Sequence, residues 1–301
     1  MTEWSDQLLR FTFDHLPIRG QWVRLDQVIS DANQHHDYPG PIQRLLAEQL
    51  SAVSMFADTL KMEGSVALQS RGEGALIRSL AECRSQHLLR AIAHTRDEQK
   101  QPESAAMTEW LAKGQLALTL IPDLEGTQTY QGMVELIEPE LTKNLEQYFM
   151  QSEQLPTKLF FAHQGSIVTG LLLQRLPDAD LSHEISTQEW EEAWATIEVL
   201  ADTLTTDELG NLAPEQFLHR LFNEFPCRLH PPRHLKYECT CSRIKTDRTL
   251  ATFPAKDLRD LIAERDQIDV DCEFCGARYS YDAVDVEQLI LNGNDGTGSI
   301  H

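Results

Sequence analysis

Four cysteines near the C-terminus form two closely spaced pairs. Cys239 and Cys241 make a C-x-C motif, Cys272 and Cys275 make a C-x-x-C motif, and thirty residues separate the pairs. Each pair is too short to join distant parts of a fold by a disulfide, but it can hold one metal ion from one side. Four thiolates at about 2.3 Å form a closed tetrahedral zinc site, and Gly276 fits the tight turn that brings backbone amides near the sulfurs. The spacing predicts one Zn²⁺; the alternative is unrelated free thiols.

The segment around these pairs is small. Residues 228–292 contain a predicted helix, Pro254–Glu264, and two tyrosines, Tyr279 and Tyr281, follow the second pair. A unit of about 65 residues has a marginal core, and structural zinc supplies an apparent 10–16 kcal/mol of binding free energy to such units. Thiolates are also the species that oxidants attack. The residues alone are therefore compatible with two roles for the zinc site: a permanent structural site, or a switch that unfolds the segment when oxidants attack the thiolates.

Other residues with metal or redox chemistry are less well arranged. His35–Asp37 is expected to be a polar loop rather than a metal site, and Cys83 lies among apolar positions, as a buried structural thiol would. Cys227, His230 and His234 precede the zinc segment and could compete as ligands, but Pro231-Pro232 breaks any helix that would align them.

The sequence contains no motif that indicates catalysis. Gly72-x-Gly74 lacks the third glycine of a dinucleotide-binding loop, so a turn is expected there. No G-x-S-x-G, H-E-x-x-H or P-loop pattern is present. We therefore expect a protein that is not an enzyme.

The overall charge limits the classes of partner. With 26 basic and 47 acidic residues, the net charge is −21, which opposes binding to nucleic acids and to anionic membranes. No run of about 20 apolar residues predicts a membrane span. The N-terminal residues lack the features of a signal peptide, so a cytoplasmic location is expected. Six cysteines in that compartment indicate metal or redox chemistry.

The elements that would position these residues indicate an α+β protein. Residues 1–180 are predicted to form a mixed core with a long amphipathic helix from Ile42 to Leu60 and a second helix, Glu140–Met150. Alternating or apolar runs predict strands near residues 16–23, 66–70, 88–93, 115–121, 130–136, 159–162 and 167–173.

An acidic helical linker is predicted at residues 181–227. The surrounding stretch, 178–226, has twelve acidic residues and one basic residue, Arg220. Capping boxes begin at Ser186 and Thr205, and apolar stripes follow them. Because like charges on neighbouring turns destabilise isolated helices, the linker should hold only while docked, and undocking would expose tryptophan and phenylalanine. The zinc unit is placed at 228–292 and a disordered tail at 293–301, which resembles a calcium loop without its closing glutamate.

Several segments resemble the heat-shock protein 33 family of redox-regulated chaperones. They are His36–Pro39, Tyr130–Gly132, Tyr148–Thr157, Gly170–Gln174, Glu238–Ser242 and Cys272–Gly276. They are spread over nearly the whole chain, and the spacing of the cysteine pairs is that of the family. The chain departs from the family's frequent Ser-Arg-Glu-Arg after the first pair, having Ser242-Arg243-Ile244-Lys245.

The resemblance implies a substrate-binding core, a linker and a zinc redox-switch domain. It implies that Cys239, Cys241, Cys272 and Cys275 hold zinc in a quiescent reduced form. Oxidation would then form the disulfides Cys239–Cys241 and Cys272–Cys275, release zinc and unfold the switch and linker. The exposed surface would hold unfolding client proteins without ATP, often as a homodimer, under stress. The roles of Cys83 and Cys227 stay open.

Two other functions compete with this one. The C-x-x-C pair could serve a thiol-disulfide oxidoreductase, but the surrounding sequence lacks the strand–motif–helix order of a thioredoxin-like site. A zinc-ribbon module for nucleic acid is opposed by the net charge of −21.

Overall fold

The computed structural model describes residues 4–59, 63–96, 101–124, 126–177 and 186–294. In the last of these stretches, side chains are described as far as residue 291. The chain divides into two compact units, Met1–Glu238 and Cys239–His301. Both contain helices and sheets, so the predicted α+β class is confirmed. Within the described stretches, every helix is too short or too polar to cross a lipid bilayer.

The first unit contains twelve described strands in two sheets. In chain order they are β1 (Gln7–Phe13), β2 (Ile18–Leu25), β3 (Gly64–Arg71), β4 (Leu76–Arg84), β5 (Leu88–Thr95), β6 (Gln115–Pro122), β7 (Tyr130–Glu135), β8 (Thr157–Gln164), β9 (Ile167–Arg175), β10 (Cys227–Leu229), β11 (Arg233–His234) and β12 (Lys236–Tyr237). The first sheet has the order β10-β1-β2-β9-β8, with β11 also beside β1. The second has the order β12-β5-β4-β3-β6-β7. Neighbours run antiparallel, except that β12 joins β5 in parallel.

Seven described helices accompany these sheets. They are α1 (Gln27–Asn33), α2 (Gly40–Thr59), α3 (Met107–Leu111), α4 (Leu141–Tyr148), α5 (Thr187–Asp202), α6 (Thr206–Asn211) and α7 (Pro214–Leu221). A π-helical turn, Phe149–Glu153, continues α4. The larger core lies around α2, whose side chains contact strands of both sheets.

Most predicted elements of residues 1–180 are present. The predicted strands correspond to β2, β3, β5, β6, β7, β8 and β9. The long helix corresponds to α2, although Leu60 lies outside the described residues. The helix predicted to end at Met150 instead ends at Tyr148, where the π-helical turn begins. Four elements of this region were not predicted from the sequence: β1, β4, α1 and α3.

The acidic helices cover the outer face of the first sheet. Both predicted capping boxes form, at Ser186 before α5 and Thr205 before α6. A second core joins these helices to β1, β2 and β9. Its main buried members are Phe11, Phe13, Trp22, Leu171, Leu173, Trp194, Ile197, Ala201, Phe217, Leu218 and Phe222. With one core on each of its faces, this sheet is buried on both sides.

Polar contacts also fix the acidic helices to the sheet. Lys158 on β8 binds Asp202 on α5 at 3.1 Å. Arg24 on β2 donates to the carbonyl of Gly210 at 2.6 Å, and the Arg175 guanidinium lies 3.7 Å from the centre of the Trp190 ring. The linker helices are therefore docked in this structure.

The segment between the linker and the cysteine pairs belongs to the two sheets of the first unit. β10 pairs with β1, and β12 pairs with β5. Arg233 on β11 binds the buried carboxylate of Asp58 at 2.7 Å. Residues 228–238, which the sequence analysis grouped with the zinc domain, thus extend the sheets, and the second compact unit begins at Cys239.

The second unit is small. Its elements are α8 (Arg243–Leu250), α9 (Ala255–Arg265), β13 (Ile268–Asp271), β14 (Arg278–Tyr281) and α10 (Ala283–Asn294). The predicted helix between the cysteine pairs is α9, and α8 was not predicted. Six buried side chains form the core: Leu250, Leu258, Ile268, Tyr281, Val286 and Ile290. In the predicted tail, residues 293 and 294 are helical and 295–301 lie outside the described residues.

Candidate metal centre

Two chain segments bring the cysteines together within the second unit. Cys239 and Cys241 immediately precede Ser242, whose hydroxyl caps α8. Cys272 and Cys275 occupy the turn between β13 and β14. That turn is closed by two backbone hydrogen bonds of 2.8 Å, from Gly276 to the Cys272 carbonyl and from Cys272 to the Ala277 carbonyl. Gly276 has a φ of 66°, as the tight turn predicted at this position requires.

The four sulfurs have the spacing of a metal site. All lie within 4.8 Å of one another. The Cys239 and Cys272 sulfurs are 3.5 Å apart, and those of Cys241 and Cys275 are 3.4 Å apart. Zinc–sulfur bonds of about 2.3 Å place the sulfurs of a tetrahedron about 3.8 Å apart, whereas a disulfide needs about 2.05 Å. The six described cysteines are unpaired, and the cluster could hold one metal ion.

Hydrogen-bond donors surround the cluster unevenly. The backbone N–H groups of Cys241 and Ala277 donate to the sulfurs of Cys239 and Cys275. The Tyr279 hydroxyl donates to the Cys241 sulfur over 3.1 Å. Such donors stabilise negative charge on sulfur, so the surroundings fit thiolates held by a cation.

The pKa values differ among the thiols. Burial raises the pKa of Cys239 and of Cys275. Burial also opposes ionisation of Cys241, but the Tyr279 hydroxyl and the neighbouring thiols donate to its sulfur, and together they lower the pKa of Cys241. Four adjacent thiols cannot all ionise without a compensating cation. A divalent metal ion supplies that charge and displaces the protons.

Two basic side chains stabilise the segment that contains Cys239 and Cys241. Lys245 donates to the Thr240 carbonyl at 2.6 Å. Arg243 donates to the Ser280 carbonyl at 2.9 Å, binds Asp285 at 2.8 Å and stacks 4.3 Å from the Tyr281 ring centre. These contacts tie the start of α8 to β14 and α10, so the first pair is held by side chains as well as by any metal.

The remaining candidate ligands lie outside the cluster. His35–Asp37 lies in the loop between α1 and α2, as predicted. His230 contacts Thr12 at 3.3 Å, and His234 pairs with Gln7 of β1. Burial raises the pKa of Cys227, on β10, to about 12. Within the described part of the chain, the four cysteines are the one group of His, Cys, Asp or Glu side chains with metal-site spacing.

Gly72 and Gly74 form a structural turn, as expected from their sequence. A Cβ atom on Gly72 would lie 1.9 Å from the Leu111 carbonyl oxygen. The backbone N–H of Gly74 donates to that carbonyl at 2.8 Å. The two glycines therefore let the turn pack against α3.

The C-x-x-C pair does not have a thioredoxin-like setting. Cys272 and Cys275 lie in a turn between two antiparallel strands, not at the N-terminus of a helix, where a helix dipole would activate a thiol. The contact of Tyr279 with the cluster was not predicted from the sequence, where this residue was noted only as following the second pair. Its position four residues beyond Cys275 was the available signal.

Cys83 is expected to stay unreactive in the folded protein. It is fully buried in the larger core, and burial raises its pKa from 9.0 to about 12. Below pH 9 this lowers the thiolate fraction about a thousandfold relative to an ordinary thiol. Timed alkylation with iodoacetamide, read by mass spectrometry, should leave Cys83 unmodified until denaturant is added. Alkylation of native Cys83 as fast as a free thiol would contradict this.

Comparisons with known proteins agree on one family. A family model described as Hsp33 protein matches residues 6–282. The 33 kDa chaperonin of Pseudomonas aeruginosa is 40% identical over 286 residues, covering 95% of this chain and 94% of the relative. That of Azotobacter vinelandii is 38% identical over 292 residues, covering 96% of each.

A solved structure has the same fold. The crystal structure of the 33 kDa chaperonin (heat shock protein 33 homolog) from Thermotoga maritima matches with a TM-score of 0.81. The match covers 96% of this chain and 99% of that chain at 23% identity. At that identity the likeness is one of fold.

Proposed function

This chain belongs to the Hsp33 family, and on that premise we propose that it is a redox-regulated chaperone that holds unfolding proteins without ATP. Membership of the family, whose curated relatives are named chaperonins rather than enzymes, supports a chaperone function. One observation carries the redox mechanism: four cysteine sulfurs lie within 4.8 Å of one another in a small unit. In this proposal Cys239, Cys241, Cys272 and Cys275 hold one Zn²⁺ per chain in the reduced, quiescent state.

The small core of the second unit is the reason that the metal matters. Six buried side chains provide little apolar burial for a unit of this size. Zinc held by four thiolates contributes on the order of 10–16 kcal/mol of apparent binding free energy. Loss of the ion would therefore remove most of the stability of this unit.

Oxidation is the proposed trigger. We propose the disulfides Cys239–Cys241 and Cys272–Cys275, which the family resemblance supports. As each disulfide forms, its two thiolates give two electrons to one hydrogen peroxide molecule, which is reduced to two hydroxide ions and, after protonation, two water molecules. Bonds within a pair leave the two segments unconnected. Disulfides between the pairs would instead keep the segments tied together, although the sulfurs are close enough in both arrangements.

The docked linker is the proposed cover of the client-binding surface. Its described part, residues 186–226, has nine acidic residues and one basic residue, so its helices depend on docking. The second core contains Trp194 and Phe217 from the linker and Phe11 and Trp22 from the sheet. Undocking would expose these aromatic side chains, which suit apolar segments of unfolding proteins.

The remaining parts of the proposal concern partners and location. Clients are unfolding proteins encountered in the cytoplasm under stress, and the oxidised form acts as a homodimer. The surplus of acidic residues supports a protein that binds neither nucleic acid nor anionic membranes.

Peroxide treatment is expected to release zinc and start client binding together. Light scattering of a heat-unfolded client should rise in the presence of the reduced protein and stay low with the oxidised protein. A colorimetric chelator should report one zinc per chain on the same time course. The control is reduced protein held at the same temperature without peroxide. Equal suppression of aggregation by both forms would remove the redox switch from the proposal.

Catalytic turnover distinguishes the oxidoreductase alternative. A chaperone of this kind should not reduce insulin disulfides repeatedly in the presence of excess dithiol, because the C-x-x-C pair lies in a hairpin turn. Turnover at a constant rate would favour the enzyme.

A further inference from the structure

Tyr279 is the tyrosine whose hydroxyl reaches the cysteine cluster. It lies on β14 opposite Val270 of β13, and its half-buried ring packs against the core of the second unit. Its hydroxyl donates to the Cys241 sulfur over 3.1 Å. This contact joins the hairpin that follows the second cysteine pair to the segment of the first pair, 38 residues away in sequence.

Tyr281 provides a natural comparison on the same strand. Its hydroxyl donates to the Asp247 carboxylate at 2.7 Å rather than to a cysteine sulfur. Its ring is more deeply buried than that of Tyr279. A tyrosine-to-phenylalanine substitution at either position removes one hydroxyl group from β14. Only the substitution at Tyr279 removes a hydrogen bond to a cysteine sulfur.

We propose that Tyr279 is a positioning residue that restrains the Cys241 sulfur and so sets the rate at which peroxide opens the four-cysteine centre. The inference rests on the proposed function, because it takes the centre as the trigger. Partners that hydrogen-bond to metal ligands orient them and typically account for 10- to 100-fold in metal affinity. The N–H donors to Cys239 and Cys275 belong to the backbone, whereas the Tyr279 hydroxyl can be removed by substitution.

The chemical step shows why a donor on sulfur matters. The Cys241 thiolate attacks one peroxide oxygen, the O–O bond breaks, hydroxide leaves and a sulfenic acid forms. The Cys239 thiolate then attacks that sulfur and expels a second hydroxide, so that two sulfurs have given two electrons to peroxide. A metal-bound cysteine is already a thiolate, so its intrinsic nucleophilicity governs the first step. A donated hydrogen bond lowers that nucleophilicity.

The test compares Tyr279→Phe with Tyr281→Phe in the full-length, zinc-loaded protein. Zinc release to a chelator is followed at several hydrogen peroxide concentrations. The observed rate constant of zinc release is plotted against peroxide concentration. The slope of this plot gives the second-order rate constant of the reaction with peroxide, and the intercept gives the rate of spontaneous zinc loss. Loss of one hydrogen bond to a charged sulfur changes its basicity about tenfold, and nucleophilicity changes about threefold for each tenfold change in thiolate basicity. We therefore expect Tyr279→Phe to raise the slope about threefold or more, and Tyr281→Phe to leave it at the wild-type value.

A purely structural role would give a different pattern. If the two tyrosines only stabilise the fold, both variants should lose zinc faster without peroxide and unfold at a lower temperature. The slope of zinc release against peroxide would then not rise in Tyr279→Phe alone. Equal slopes in wild type and Tyr279→Phe, or an equal rise in both variants, would overturn the proposal. If Tyr279→Phe is purified without zinc while Tyr281→Phe retains it, the positioning role is supported; loss of zinc from both overturns it.

The same experiment separates this inference from the proposed function. If wild-type protein releases zinc to peroxide without gaining client binding, the proposed function fails, while the comparison of slopes still stands. If wild type switches normally and the slopes are equal, the role of Tyr279 alone fails.

Discussion

Cys275→Ser is expected to yield a protein that lacks zinc and binds clients even when reduced. A serine hydroxyl is a poor zinc ligand, and the three remaining thiolates leave an open site. The lost binding free energy, up to about 10–16 kcal/mol, is comparable to the net stability of a whole domain, about 5–15 kcal/mol. The second unit, with six buried core side chains, should therefore unfold.

Three measurements together check this result. Metal analysis should give no zinc, and hydrogen exchange should show loss of protection in the linker helices and from Cys239 to Leu291 while β3–β6 stay protected. Client light scattering should be suppressed without oxidant. The matched control is Cys227→Ser, because Cys227 lies on β10 outside the cluster and should leave zinc content unchanged. A reduced Cys275→Ser protein that is compact and inactive would show that the metal does not hold the switch closed.

The parts of the molecule that sequence predicted well are those determined by local patterns. The capping boxes at Ser186 and Thr205 each involve residues three positions apart, so they can be read directly from the chain. The long apolar periodicity of α2 likewise reflects a helix packed along its length. The four cysteines could be grouped because paired spacing is itself the geometric requirement of a metal site.

Elements defined by distant partners were missed for physical reasons. β1 is an exception, because Leu9–Phe13 alternate between buried apolar side chains and the less buried Arg10 and Thr12, a local strand pattern that was overlooked. β4 presents small residues, Ser79, Ala81 and Cys83, to the core beneath α2, so its hydrophobic signal is weak. β10–β12 contain only two or three residues each and are defined by their pairing with strands near the N-terminus and in the second sheet. No local pattern reports such pairing.

Strand β12 lies directly before the second unit in the chain and belongs to the second sheet of the first unit. Tyr237 pairs with Leu89 in the second sheet, and Cys239 follows after one intervening residue. In chain order the linker helices lie between β9 and β10, and β10 directly follows the linker and pairs with β1. Unfolding of the second unit frees the linker only when the short strands that follow the linker loosen as well. In the proposed switch, β10–β12 must also loosen, so the linker's own docking energy decides how readily the client surface appears.

Ala201→Glu is expected to undock the linker and allow client binding while zinc stays bound. Ala201 on α5 is fully buried against the first sheet, and an unpaired carboxylate there costs several kcal/mol. Every aromatic side chain of the second core is retained, so the exposed surface keeps its binding groups. The larger core around α2 and the cysteine cluster contain no part of this contact.

Val199→Glu is the matched control for this variant. It introduces the same charge two residues away on the same helix, at a position that is 66% exposed, and should leave docking intact. Limited proteolysis should cut within residues 187–221 of Ala201→Glu but not of Val199→Glu, with one zinc retained in both. If the cleavable, zinc-loaded Ala201→Glu protein still fails to suppress client aggregation, then the client surface does not lie beneath the linker. If the zinc-loaded Ala201→Glu protein suppresses aggregation, coverage of the client-binding surface by the docked linker helices is what keeps the protein inactive. The metal ion then acts only by keeping the linker helices docked.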